Sequence, residues 1–144
     1  MKLEDLYNEW AKDGAIDIAD ISRNSADIPK LHNKYFRWYS EEGLRLKKLK
    51  SDYKVLTKLK TDYYNGTLDS TELKEYGWPQ QPLKILRADI PMYLESDKEI
   101  ITLSLKIGLQ EAVVEYLESI IKQINNRNFI LKNIIDWEKF RTGA

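Results

Sequence analysis

The 144 residues contain no cysteine and a single histidine. The first absence excludes a disulfide framework, a thiolate metal site and a thiol nucleophile together, and it fits a reducing compartment. Phosphate-cradling loops are missing too: the six glycines stand apart, and neither G-x-x-x-x-G-K nor G-x-G-x-x-G occurs. No run approaches about 18 apolar residues, and the opening Met1-Lys2-Leu3-Glu4-Asp5-Leu6 is charged where a signal peptide is apolar. A soluble, intracellular protein with no membrane partner is expected.

Catalytic chemistry finds few residues. His32 follows Leu31 and has no second imidazole or thiol to work with, so it reads as a surface group. Glu72-Leu73-Lys74 imitates the acid-x-lysine half of a metal-dependent nuclease, but such a site needs further carboxylates from strands, and the sequence offers no convincing strand. No catalytic residue, metal ligand or cofactor is assigned, and the protein is not expected to be an enzyme.

What the chain does have is charge, and it is unevenly distributed. Charged residues make up 32% and hydrophobic ones 42%, a composition that folds, over a length that suits one domain with room for a small second lobe. The formal net charge is zero, yet residues 1–44 carry −3, residues 45–60 carry +6, and residues 61–144 carry −3. A local cluster of this kind, and not the whole-chain average, is the electrostatic mark of a polyanion binder.

Hydrophobic spacing predicts an all-α fold. Leu3, Leu6, Tyr7 and Trp10 recur at helical intervals until Asp13-Gly14, giving a first helix over about 3–12. A second periodic stretch follows Asp17, with a boundary or kink expected at Pro29. Leu46, Leu49, Tyr53, Leu56 and Tyr63 gather on one arc of a helix placed at about 41–64, which Asn65-Gly66 ends. Residues 67–97 read as an irregular connecting segment. Ser70 or Thr71 caps a helical turn closed by Gly77, Trp78-Pro79-Gln80-Gln81-Pro82 stops any helix, and residues 83–97 are ambiguous between strand and helical turns. Asp97 then caps a long helix to about Asn125, and Arg127–Phe140 resumes with Phe129, Ile130, Ile134 and Trp137 on one side. The architecture expected is an N-terminal helical hairpin or bundle with a long basic helix over 1–66, the connecting segment, and C-terminal helices over 98–144. The wide apolar arc of those last helices suits contact with further copies of the chain.

On a wheel turning about 100° per residue from Leu46, Lys50, Lys54, Lys47 and Lys58 fall between about 40° and 120°. They form a stripe about 16 Å long, with Ser51, Thr57 and Thr61 beside it as further phosphate donors. A solvated lysine face is the ordinary fate of an amphipathic helix. Two features set this one apart: its single acid, Asp52, points elsewhere, and Lys60 falls at about 320°, inside the apolar arc, with Arg45 at its edge at about 260°. A lysine so placed must snorkel or find a partner. Tyr63 matches the packing face, whereas Tyr64 is divided between packing and stacking on an unpaired base.

"KLEDLYNEWAKDGAIDI", "LKTDYYNG" and "NNRNFILKNIIDWEKFRTG", in this order and over nearly the whole chain, resemble the UvsY recombination-mediator proteins of tailed bacteriophages. The resemblance implies a small, non-enzymatic helical protein acting in DNA recombination, repair and replication in the cytoplasm of the infected host. Such a protein forms a homo-oligomeric ring of six or seven subunits, wraps single-stranded DNA, and helps load a RecA-like recombinase onto strands covered by single-strand-binding protein. The family's basic-x-basic pair before Asp-Tyr-Tyr is here Lys58 and Lys60, the second a point charge where a relative has a guanidinium. Candidate DNA-binding residues are thus Lys58, Lys60, Lys54, Lys50, Lys47, Lys48, Arg45 and Tyr64. The wheel and the resemblance disagree on Lys60, which one sets toward the packing side and the other on DNA. The competing reading is a helical adaptor whose lysines dock an acidic protein and which binds no nucleic acid.

Overall fold

The computed structural model describes residues 1–81 and 84–143. Among them the order of helices is α1 (Leu3–Asp13), a 3-10 turn (Ile18–Asp20), α2 (Ile21–Ala26), α3 (Ile28–Tyr64), α4 (Ser70–Tyr76), a 3-10 turn (Arg87–Asp89), α5 (Ile90–Glu95), α6 (Lys98–Asn125) and α7 (Arg127–Thr142). No strand occurs among the described residues, so the all-α expectation holds. The helix expected at about 41–64 starts much earlier, at Ile28. Pro29 lies in its first turn, where a missing N–H breaks no intrahelical bond, so the proline marks the beginning of one long helix.

The chain divides into two compact units, Met1–Arg45 with Gln110–Ala144, and Leu46–Leu109. The first is built on Leu6, Tyr35, Val113, Leu117, Ile120 and Ile124, all buried. Trp10 and Trp38 meet Tyr35 edge-on at 5.4 and 5.3 Å, the geometry that aromatic quadrupoles favour. Arg127, at the start of α7, is buried and donates to the carbonyls of Gly14 and Ala15 and to the Asn24 side chain. Asn24 in turn donates to the carbonyls of Asp17 and Asp20. These bonds satisfy loop backbone that a helical fold would otherwise leave unpaired. On α7 the buried residues are Arg127 and Leu131, while Phe129 and Trp137, on the apolar side expected from spacing, are exposed. Ile130 and Ile134, on the same side as Phe129 and Trp137, are half-buried.

In the second unit local signals act largely as the sequence predicts. Gly66 ends α3 with φ +72°, and Gly77 ends α4 with φ +71°, the left-handed values that glycine adopts without a Cβ penalty. The cap of α4 is Asp69, whose carboxylate accepts from the Glu72 N–H at 2.8 Å, one residue before the expected Ser70 or Thr71. Asp97 caps α6, its Oδ1 accepting from the N–H groups of Glu99 and Ile100 at 2.9 and 3.1 Å. The ambiguous stretch after residue 83 resolves into helical turns, with Pro91 in the first turn of α5. Pro82 and Leu83, the second proline of the expected stop and the first residue of that stretch, lie outside the described residues.

Candidate functional site

The lysine stripe occupies the second part of α3. Lys47, Lys50, Lys54 and Lys58 are all exposed. Among the described residues Lys47 and Lys54 have no ion pair, whereas Lys58 meets Asp62 at 2.7 Å, one turn on. Lys48 meets Asp52 at 3.6 Å in the same i,i+4 relation. Arg45 reaches Glu42 at 3.2 Å, and the Glu42 carboxylate, buried, also accepts from Gln110 at 2.7 Å. Exposed i,i+4 pairs are worth only about 0.3–0.5 kcal/mol, so a phosphate can replace the aspartate at Lys58 or Lys48 at little cost. Arg45 is different, because leaving it would reduce the cations of a buried carboxylate to the Met1 ammonium alone, at 3.8 Å.

Lys60 lies two residues beyond Lys58 and is only 5% exposed. Its ammonium lies 3.1 Å from Asp97 Oδ2 and 3.4 Å from Glu99 Oε1, and 4.0 Å from the centre of the Trp78 ring. The same carboxylates hold the neighbouring aromatic groups: the Tyr64 hydroxyl donates to Asp97 at 2.6 Å, and the Trp78 indole N–H donates to Glu99 at 2.8 Å. Burial alone would raise the Asp97 carboxyl, but donation from Tyr64, the Ile100 N–H and Lys60 outweighs it and holds the group below the usual carboxylate range. Burial and the Asp97 carboxylate push the Tyr64 hydroxyl well above its ordinary value, so it remains a donor.

Around this ion cluster the rings form a continuous run, Tyr76 to Trp78 to Tyr63 to Tyr64 to Tyr93, with centroids 4.9, 5.2, 5.1 and 5.5 Å apart. Tyr63 is buried, as its position on the packing face predicts, and Tyr64 is half-buried inside the run. Of the predicted site residues the structure therefore sets Lys47, Lys48, Lys50, Lys54, Lys58 and Arg45 at the surface. It draws Lys60 and Tyr64 into one hydrogen-bonded cluster. Asp97, Glu99 and Trp78 are the members that sequence reasoning missed. The available signal was a lysine inside an apolar arc, which demands a counter-ion without saying where along the chain it lies.

No group of His, Cys, Asp or Glu among the described residues could hold a metal ion, and none of the described helices is long and apolar enough to cross a membrane. Fold and surface thus define an all-α protein that carries a row of exposed lysines along one helix. Comparison with known proteins takes this further. Residues 9–144 match the model of the family described as "Recombination, repair and ssDNA binding protein UvsY", and the chain belongs to that family. The recombination protein UvsY of Enterobacteria phage T4 is 24% identical over 143 residues, which span 99% of each chain. Two crystal structures of the bacteriophage T4 recombination mediator protein UvsY share the fold. One has a TM-score of 0.84 at 23% identity, covering 99% of this chain and 98% of that one; the other has 0.81 at 22%, covering 95% and 98%.

Proposed function

We propose that this protein is a non-enzymatic recombination mediator that binds single-stranded DNA along α3 and helps load a RecA-like recombinase onto strands covered by single-strand-binding protein, in the cytoplasm of the infected host. The observation that carries this is the exposed stripe of Lys47, Lys50, Lys54 and Lys58 on one helix of a member of a single-strand-binding family. Lysines spaced in this way neutralise successive phosphates without reading sequence. Lys48 and Arg45 add charge at its margin. Lys60 and Tyr64 contribute from behind, by holding the helix that presents the stripe.

Residues 98–144 are the oligomerisation region in this reading, linked by 67–97 to the DNA-binding region 1–66. Phe129, Trp137 and Phe140 support it, since all three are exposed in the single chain, Phe140 at 77%. Large apolar side chains left in water at one end of a chain suit contact with further copies. A homo-oligomer multiplies a weak affinity per subunit by raising the effective concentration of the remaining sites.

A polarisation titration with a labelled single strand across a salt series tests the proposal. Four phosphate contacts per subunit predict a slope of roughly −3 in log K against log salt. Absence of binding at low salt would favour the adaptor reading, in which the same lysines meet an acidic protein.

A further inference from the structure

Beside the lysine stripe, α3, α5 and α6 enclose a groove of about 460 Å³, within the range of small-molecule sites. Its walls are largely apolar, with Tyr53 from α3, Leu94 from α5, and Ile101 and Leu105 from α6. Leu105 is 70% exposed, so this surface stands open to solvent. Resting on the single-strand reading above, we infer that the groove receives unpaired nucleobases of the strand whose phosphates follow the lysines.

Four observations lead there. Of the nine tyrosines, Tyr53 alone contacts no other ring among the described residues, while the other eight each have an aromatic neighbour. A tyrosine that lines a groove and stacks on no other ring can serve as a stacking platform for a base. Thr57 also lines the groove, and its hydroxyl oxygen is buried without a hydrogen-bond partner. Base edges carry both donors and acceptors and would satisfy it once the side chain turns toward the groove.

Position along α3 supplies the third observation. Lys50 precedes Tyr53 by three residues and Lys54 precedes Thr57 by three, so each groove residue neighbours a stripe lysine on the helix surface. A strand tracking the lysines with its phosphates has its bases free to turn into the groove. The fourth is the lining acid, Glu95. Its charge repels phosphate and acidic peptide from the groove itself, while its oxygens accept N–H groups from an uncharged base.

The test compares a labelled oligothymidine with an abasic strand of equal length, at equal salt, on the full chain in its native assembly. The intact protein should bind the base-bearing strand about tenfold more tightly, the order of one or two stacked bases. Tyr53→Ala should erase that ratio and Tyr53→Phe should retain it, with the salt slope unchanged in both. Leu105→Gln, at an exposed position that tolerates polarity, should reduce the ratio even if Tyr53→Ala fails to fold. Equal binding of the two strands by the intact protein would overturn the base groove and leave the DNA reading standing. Binding to neither strand at low salt would overturn both. A change in assembly mass on Leu105→Gln, with the base ratio intact, would make the groove a contact between copies and also overturn the inference.

Discussion

The two units contain the same ionic device at different depths. In the first, Lys34 reaches Glu9 at 2.5 Å and Asp13 at 2.6 Å, the Tyr35 hydroxyl donates to Asp13 at 2.9 Å, and Trp38 lies 5.1 Å below the ammonium. In the second, Lys60 takes Asp97 and Glu99, Tyr64 donates to Asp97, and Trp78 lies beneath. Each is one lysine, two carboxylates, one tyrosine hydroxyl and one indole. They differ in water access: the Lys34 side chain is 33% exposed and that of Lys60 6%. Depth decides how each site responds to the loss of a member, because the abandoned Asp13 carboxylate can be rehydrated at the first site, whereas that of the buried Asp97 at the second cannot.

Truncation of the lysines should separate them most strongly. Lys60→Ala leaves the Asp97 charge buried without its cation and should lower unfolding stability by about 3–5 kcal/mol, against about 1 kcal/mol for Lys34→Ala, as urea denaturation would measure. Similar losses for the two would break the comparison. A strand-binding loss in Lys60→Ala without any loss of stability would restore Lys60 as a direct DNA contact.

Titration sharpens the contrast. Asp97 and Asp13 are both held below the usual carboxylate range; burial opposes this in each, and hydrogen bonds from Tyr64, and from Lys34 and Tyr35, prevail. Because the folded values are depressed, the unfolded chain binds more protons near pH 4. The stabilisation is therefore present above the unfolded value of about 3.9 and disappears as pH falls through the folded ones. Lys34 runs the other way: burial lowers it, the Asp13 and Glu9 carboxylates raise it further, and the net is upward. Its share is present below about 10.4 and is lost as pH rises through the raised folded value. Asp97→Asn should flatten the acid limb of a stability–pH curve, and Lys34→Met the alkaline one.

Removing one hydroxyl is a smaller disturbance. Tyr64→Phe deletes the donor to Asp97 and should cost about 1.5–3 kcal/mol, the ordinary worth of a hydrogen bond to a charged group, measured by thermal unfolding. The smallest effect on stability belongs to the stripe. Lys54→Ala and Lys58→Ala should each change stability by less than about 0.5 kcal/mol, yet each should reduce the magnitude of the salt slope by about 0.7. Stability loss without a change in slope would move the stripe from the DNA to the fold.

Much of this was legible in the chain because it depends on near neighbours. The cap at Asp97, the helix ends at Gly66 and Gly77, and the common face of Lys47, Lys50, Lys54 and Lys58 all follow from residues within a turn or so of one another. The boundary expected at Pro29 is where α3 begins, but spacing puts its start at about 41, where the apolar arc becomes clean, although a helix continues through turns whose periodicity is less regular. Periodicity located the side of α7 that carries Phe129 and Trp137 without saying whether it is covered, and both are exposed.

Sequence by itself therefore determined the all-α class, the helix ends at Gly66, Gly77 and Asp97 and the row of positive charge, since backbone capping and side-chain periodicity are set over three or four residues. Tertiary structure alone decided that Lys60 is clamped by acids 37 and 39 positions away, that Arg127 serves a loop more than a hundred residues earlier, and that Tyr53 and Thr57 line a groove. Burial and long-range pairing depend on which distant groups the fold brings within a few ångströms, and no local pattern encodes that distance.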